Sequence, residues 1–417
     1  MTQTDLITRR ERLLGPAYRL FYDEPAHFVR GEGVWLYDAA GDAYLDVYNN
    51  VASLGHCHPR IALAITRQVE TLNTHTRYLH ETILDCAETL LATLPDHIDR
   101  VMFTCSGSEA NDLAVRIAEA YTGRTGIIVT ELAYHGVTQA VSQMSPSLGE
   151  GVVRGPHIFT VPSPLRFSSE TRAAGFAQAM DDVIARMTKA GFPPALFICD
   201  TLFSSDGVIS DPAGFLKPAV ERVQAAGGLF VADEVQAGFG RTGEAMWGFQ
   251  RHGLSPDLVS MGKPMGNGHP VAGIAMRAEL IEEFGKKSRY FNTFGGNPVS
   301  CAAALAVLNV IAEDELMVNV RQVGAYLTDG LRTLGDESKA VGEVRGAGLF
   351  FGVDIVTDGQ PDGDRARRIV NHLRQHKVLI SATGQQGNVL KIRPPLVFRP
   401  EHADRLMAAL SRAVSHP

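Results

Sequence analysis

The chain has 417 residues, 45% hydrophobic and 20% charged, with a formal net charge of -7; this length supports a large core, and the balance is ordinary for a globular enzyme. The acidic excess, without a Lys/Arg cluster, argues against a nucleic-acid surface, and five scattered cysteines without a C-x-x-C pair argue against a disulfide framework and for a reducing, cytoplasmic setting. Residues 1–12 are polar, carry Arg9, Arg10 and Arg12 and have no apolar core behind them, so they do not read as a secretory signal, and no apolar run approaches membrane-span length.

From 34 to 47, alternating apolar residues flank Asp38-Ala39-Ala40-Gly41-Asp42, which predicts a hairpin with a glycine turn. His58-Pro59 starts an amphipathic helix to about Leu72, and another spans 81–91. Strands follow near Val101, Ile127, Ile158, Leu196, Leu229, Leu258 and Ala272, alternating with helical periods over 110–121, 173–189 and 214–226. That alternation predicts an α/β fold, a mainly parallel sheet between helices. A helical stretch at 298–312 leads out of this unit. Beyond it come helices at 316–334, 363–376 and 401–416 and strands at 348–355, 378–381 and 389–392. The expected division is an N-terminal segment, 1–57, packing with a smaller α+β domain, 301–417, beside a large domain, 58–300. No internal repeat or low-complexity tract is visible.

Three stretches carry chemistry. Leu258-Val259-Ser260-Met261-Gly262-Lys263 ends an apolar run in a lone lysine, and Pro264 and Gly266 then stop any regular element. A partly desolvated lysine there is a candidate amine nucleophile, although a single loop lysine is more often simply solvated. The strand near Leu229 delivers Asp233 to its C-terminal end, where carboxylates face a ligand crevice. Ser106-Gly107-Ser108-Glu109-Ala110-Asn111 follows an apolar run and opens a helix, placing small residues and free N–H groups where a phosphate binds. A lysine for a Schiff base, an acid for a pyridine nitrogen and a phosphate cup are the equipment for pyridoxal 5'-phosphate.

Other patterns are decoys. Ser260-x-x-Lys263 lacks the companion motifs of serine acyl enzymes. His56-Cys57-His58 has no second cluster to complete a metal set, and Gly238-x-Gly240-x-x-Gly243 sits deep in the chain with no helical period opening from it.

Taken with Tyr134-His135-Gly136, Asp233-Glu234-Val235-Gln236 and Thr293-Phe294-Gly295-Gly296-Asn297-Pro298, these stretches resemble the class III aminotransferases of fold type I over about 13–412. Within that family Asn49-Asn50-Val51-Ala52, Gly55-His56-Cys57-His58-Pro59 and Arg77-Tyr78-Leu79-His80 look like the phospho-lyase branch, which acts on ethanolamine phosphate and 5-phosphohydroxylysine. The resemblance implies that Lys263 carries the cofactor as a Schiff base and then removes the α proton, and that Asp233 keeps the pyridine nitrogen protonated. It further implies that Gln236 bonds the ring hydroxyl, that Tyr134 or His135 lies near the ring face, and that Gly107 and Ser108 bind the phosphate. Thr293 would reach that phosphate from the partner subunit of a homodimer. Tyr134 and His135 also read as ordinary core aromatics.

Lyase and transferase part after the shared proton removal. Many aminotransferases of this class have Glu-Pro-x-x-Gly-Glu-Gly-Gly where this chain has Asp200-Thr201-Leu202-Phe203-Ser204-Ser205-Asp206-Gly207. Ser205 replaces the Glu that gates a substrate-binding arginine, which would leave Arg393 free for a permanent anion. Arg77 is the preferred phosphate clamp, because guanidinium geometry suits a dianion; Tyr18, Arg19 and Asn50 are further substrate candidates, and Arg241 reads as a structural ion-pair partner. The expected activity is elimination of phosphate from a phosphorylated amine, most simply ethanolamine phosphate to acetaldehyde, ammonia and phosphate. The alternative is an alanine-glyoxylate or omega-amine:pyruvate aminotransferase.

Overall fold

The computed structural model describes residues 3–415; His416, where the sequence would end the last helix, lies outside them. Every strand expected between 100 and 276 joins one seven-stranded sheet, in the order Arg100–Thr104, Ala272–Met276, Leu258–Met261, Leu229–Asp233, Pro194–Asp200, Gly126–Thr130 and Ile158–Val161. Ala272–Met276 runs antiparallel to both neighbours, and the other pairings in this sheet are parallel.

The strands read as unbroken apolar runs because both faces are covered. Ile127, Val129, Leu196, Ile198 and Val231 enter one apolar cluster with the helix Gly107–Thr122. Their strand neighbours Ile128, Phe197 and Phe230 enter another, with the helices Arg172–Lys189, Lys217–Ala225 and Pro298–Glu313. The period-two pleat sends successive side chains to opposite clusters.

The expected hairpin forms from Trp35–Asp38 and Ala43–Asp46, preceded by a strand Phe28–Glu32 that the pattern did not mark. Two expectations for the C-terminal part differ. The strand placed at 378–381 is divided: Val378–Leu379 pairs in parallel with Ala43–Asp46, whereas Ser381–Thr383 pairs with Val389–Ile392. The strand placed at 348–355 is Phe350–Thr357, and it folds back on an unexpected strand, Val341–Ala347. Gly348 makes that turn at φ +56, so close to the chain at Thr242 that a side chain would collide with its carbonyl. The helix expected from 214 starts at Lys217, since Gly214 holds φ +83, outside helical range. The helices Gln3–Leu14 and Ala278–Lys287 were also not anticipated.

The turns beyond the strand ends are fixed by buried polar side chains. Asp46, 1% exposed, accepts from the Tyr48 and Asn49 N–H groups and binds His56 Nε2 at 2.7 Å, which ties down the segment between them. His252 does the same for the chain after Asp200. Its Nδ1 accepts from Gly214 N at 3.2 Å and its Nε2 faces Thr201 O at 3.1 Å. This pattern requires the neutral ring, and burial pushes its pKa down to about 4.

The unfolded ring takes up a proton near pH 6.5 while the folded one resists until about 4, so this contribution to stability is complete above 6.5 and is lost as pH falls through that window. His252→Gln is expected to remove roughly 3 kcal/mol of the acid-side dependence. Urea unfolding at pH 7 and pH 4 checks this: an equally steep loss in the variant would show that other groups carry it.

Candidate active site

Three elements of the large sheet end at one cavity of about 370 Å³. Arg100–Thr104 leads through Cys105 and Ser106 into the helix Gly107–Thr122, Leu229–Asp233 ends on its own carboxylate, and Leu258–Met261 leads through Gly262 to Lys263. Met265 N bonds Gly262 O at 2.7 Å, so the proline and glycine punctuation closes a tight turn that projects Lys263 from the sheet edge. Burial lowers the lysine pKa, Asp233 opposes that shift, and Arg393 adds to it. A larger neutral fraction makes the amine a better nucleophile and base.

Asp233 is 4% exposed and is held from three directions. Its Oδ2 accepts from Asn111 Nδ2 at 3.0 Å and lies 2.7 Å from His135 Nδ1, and its Oδ1 accepts from Val235 N at 3.1 Å. Asn111 also donates to His135 O at 2.8 Å, and Ser145 Oγ accepts from His135 N. The imidazole is thus bound to the acid, and of the two aromatic candidates Tyr134 faces Lys263, with Nζ 5.9 Å from its ring centre. The Ser106–Asn111 motif does not by itself assign Asn111 a role. The signal was there: an amide one helical turn beyond Gly107, on a face otherwise committed to the core.

The helix start at the cavity is shaped by missing side chains. A Cβ on Gly107 would stand 2.9 Å from Val235 Cγ2, and one on Gly136 would stand 2.4 Å from Ser108 Oγ. Ser106 caps the helix by accepting from Glu109 N, which leaves the Gly107 and Ser108 N–H groups at the cavity without an intrahelical acceptor. Ser108 Oγ accepts from Val137 N at 3.1 Å. Amine, buried acid and N–H cup on one cavity fit pyridoxal phosphate: Lys263, Asp233, Gly107 and Ser108 would hold it.

Around this centre the sequence candidates separate. Gln236 lines the cavity, but its amide is committed to the protein: Oε1 accepts from Arg393 Nη1 and faces Asn50 Nδ2 at 3.5 Å, and Nε2 donates to Ser204 Oγ at 2.5 Å. Arg393, 6% exposed, is therefore not wholly free, although its Nε has no hydrogen-bond partner among the described residues. Asn50 is buried beside the same amide. Asp200 lines the cavity and accepts from the Leu202 and Ser204 N–H groups. Among the described residues Arg241 forms no ion pair; it donates to the carbonyls of Leu349 and Pro394, fastening the C-terminal sheet to the Gly-rich turn. Arg77, Thr293 and Tyr18 do not line the cavity of their own chain. Arg77 lies 3.7 Å over the ring of Phe291, two residues before Thr293, on the outer surface, and Tyr18 is 66% exposed.

The family model described as "Aminotransferase class-III" matches residues 22–414. A Drosophila melanogaster protein named "Alanine--glyoxylate aminotransferase 2-like" is 39% identical, with 98% of this chain and 86% of that protein covered. The Caenorhabditis elegans "Ethanolamine-phosphate phospho-lyase homolog 1" is 35% identical over 99% of this chain and 94% of its own length. Among solved structures, a phospholyase from Arthrobacter in complex with phosphoethanolamine is 42% identical, covers 99% of this chain and 100% of its own, and superposes with a TM-score of 0.95.

Lys263→Ala is expected to abolish both the Schiff-base absorbance and turnover. Asn111→Ala, which strips one donor from Asp233, should keep the absorbance and lower kcat about tenfold or more. Spectra with steady-state kinetics decide: full activity in the second variant would remove Asn111 from the acid's support.

Proposed function

Because this chain belongs to the class III aminotransferase family, whose members depend on pyridoxal phosphate, we propose that it is a phospho-lyase eliminating phosphate from a small phosphorylated amine, with ethanolamine phosphate as the simplest substrate. The observation that carries this reading is the likeness, over nearly the whole of both chains, to a phospholyase in complex with phosphoethanolamine. The bound cofactor supplies an electron sink that makes the proton beside the amine removable.

The rest is the work of this chain. Lys263, its pKa lowered by burial, takes that proton. Asp233, fixed by Asn111 and His135, would supply the negative charge that keeps a pyridine nitrogen protonated. Ser205 in place of a gating carboxylate undermines switching between carboxylates and apolar side chains at one site, and Arg393 remains as a buried cation near the cavity. A departing phosphate needs such compensation.

Arg77 and Thr293 enter this reading from the partner subunit of a homodimer. Both lie outside their own cavity, in a region rich in exposed apolar side chains, with Tyr78 65%, Leu79 99% and Phe294 70% exposed. Exposed groups of that size mark a surface suited to a second copy. The second reading, transfer of the amino group to pyruvate or glyoxylate, is favoured by one observation: the 39% identity to the alanine--glyoxylate aminotransferase 2-like protein.

Incubation with ethanolamine phosphate should release phosphate and acetaldehyde in equal amounts, and amines offered with pyruvate should give no alanine. Alanine without phosphate would reverse the two readings. Mixing subunits tests the origin of the clamp. Arg77→Ala and Lys263→Ala chains, each inactive alone, should regain activity when co-refolded, since one site of the mixed dimer then holds both intact residues. No recovery would place Arg77 in its own chain's site or outside the mechanism.

A further inference from the structure

Behind the main cavity lies a void of about 10 Å³ walled by Thr130, Tyr134, His135, Asp200, Ser204 and Asp206, among others. That is room for one water molecule. Two of the residues lining it carry a buried side-chain atom without a hydrogen-bond partner among the described residues, His135 Nε2 and Asp206 Oδ1. Both side chains are otherwise engaged: His135 Nδ1 with Asp233 at 2.7 Å, and Asp206 Oδ2 as acceptor from Thr130 Oγ1 at 2.8 Å. Their exposures are 4% and 3%. Buried polar atoms almost always have partners, and two orphans on one water-sized polar void are what a bound water satisfies.

We propose that one water bridges His135 Nε2 and Asp206 Oδ1, which makes Asp206 a positioning residue: a proton shared through this water sets the charge that His135 presents to Asp233. With the proton on Asp206, the acid donates to the water, the water donates to Nε2, and a neutral ring gives its Nδ1–H to Asp233. With the proton on His135, both ring N–H groups donate, one to Asp233 and one to the water, which donates to ionised Asp206. The two states differ by one proton moved along the bridge. A neutral ring leaves Asp233 its full charge for the pyridine nitrogen; a charged ring shares it.

Burial pushes the Asp206 carboxyl up to about 7, the hydroxyls of Thr130 and Ser163 oppose that shift, and the carboxylates of Asp200 and Glu131 reinforce it. The acid can therefore hold or release a proton near neutrality. Across a second crevice that Asp206 also lines, the charged groups are Glu131, Arg166, Glu343 and Asp354, and on the C-terminal sheet the buried Lys391 interacts with it electrostatically. The inference rests on cofactor binding and not on the lyase reading, so its failure leaves that reading standing.

A high-resolution crystal structure of the unaltered holoenzyme should show a water about 2.6–3.2 Å from both atoms. An empty void, or a side chain turned into it, overturns the bridge. In Asp206→Asn holoenzyme, the pH titration of the bound cofactor's absorbance should shift its midpoint by about one unit or lose its near-neutral inflection, with the thermal midpoint unchanged. A folded variant that titrates like the unaltered protein overturns the relay; if the variant does not fold, the crystallographic water decides.

Discussion

The burial of one carboxylate is the constraint on which the rest of this site depends. Asp233 ends a strand with almost no access to water, and an ion in that position survives only if donors reach it. They come from separate parts of the chain: the amide of Asn111 on a helix, the ring of His135 in a loop, and the N–H of Val235 in the turn that follows. Each of these parts is placed by the sheet and the helices packed on it, so the position of the acid is a property of the whole large sheet.

The same burial acts on Lys263 in the opposite electrical sense. Loss of water favours its neutral form and Asp233 favours its charged form, so acid and amine must share a cavity closely enough to be matched without becoming a simple ion pair. Further cations crowd in from the C-terminal sheet. Lys391 and Arg393, both under a tenth exposed, have their pKa lowered by burial, and for Lys391 the Arg393 charge adds to it. Asp200, its own pKa raised by burial, faces them from the large sheet. Asp200 opposes the lowering at both Lys391 and Arg393, so groups of the two sheets interact electrostatically across the junction. The junction is therefore an electrostatic as well as an apolar contact, and Arg241 reinforces it by donating to carbonyls of the C-terminal part.

Much of this was legible in the residues. Apolar runs of strand length, alternating with helical periods, specified the seven strands of the sheet, and the positions of Lys263, Asp233 and Ser106 at the ends of those runs specified which side chains meet at its edge. Strand ends are readable because burial on both faces leaves a continuous signal that stops where the backbone must turn. The strand at 378–381 was less legible, since its division between two sheets depends on which partner edge is free and not on its own pattern.

The sequence by itself determined the mainly parallel sheet and the places of Lys263, Asp233 and the Ser106–Ser108 helix start at its strand ends, because each follows from local pattern and motif. Only the tertiary structure decided that Asn111 and His135 share the Asp233 carboxylate, that Gln236 is claimed by Arg393, and that Arg77 and Thr293 stand outside their own cavity. Those are relations between residues far apart in the chain. Hydrogen bonds of that kind are set by packing distances to within an ångström, which no periodicity along a sequence encodes.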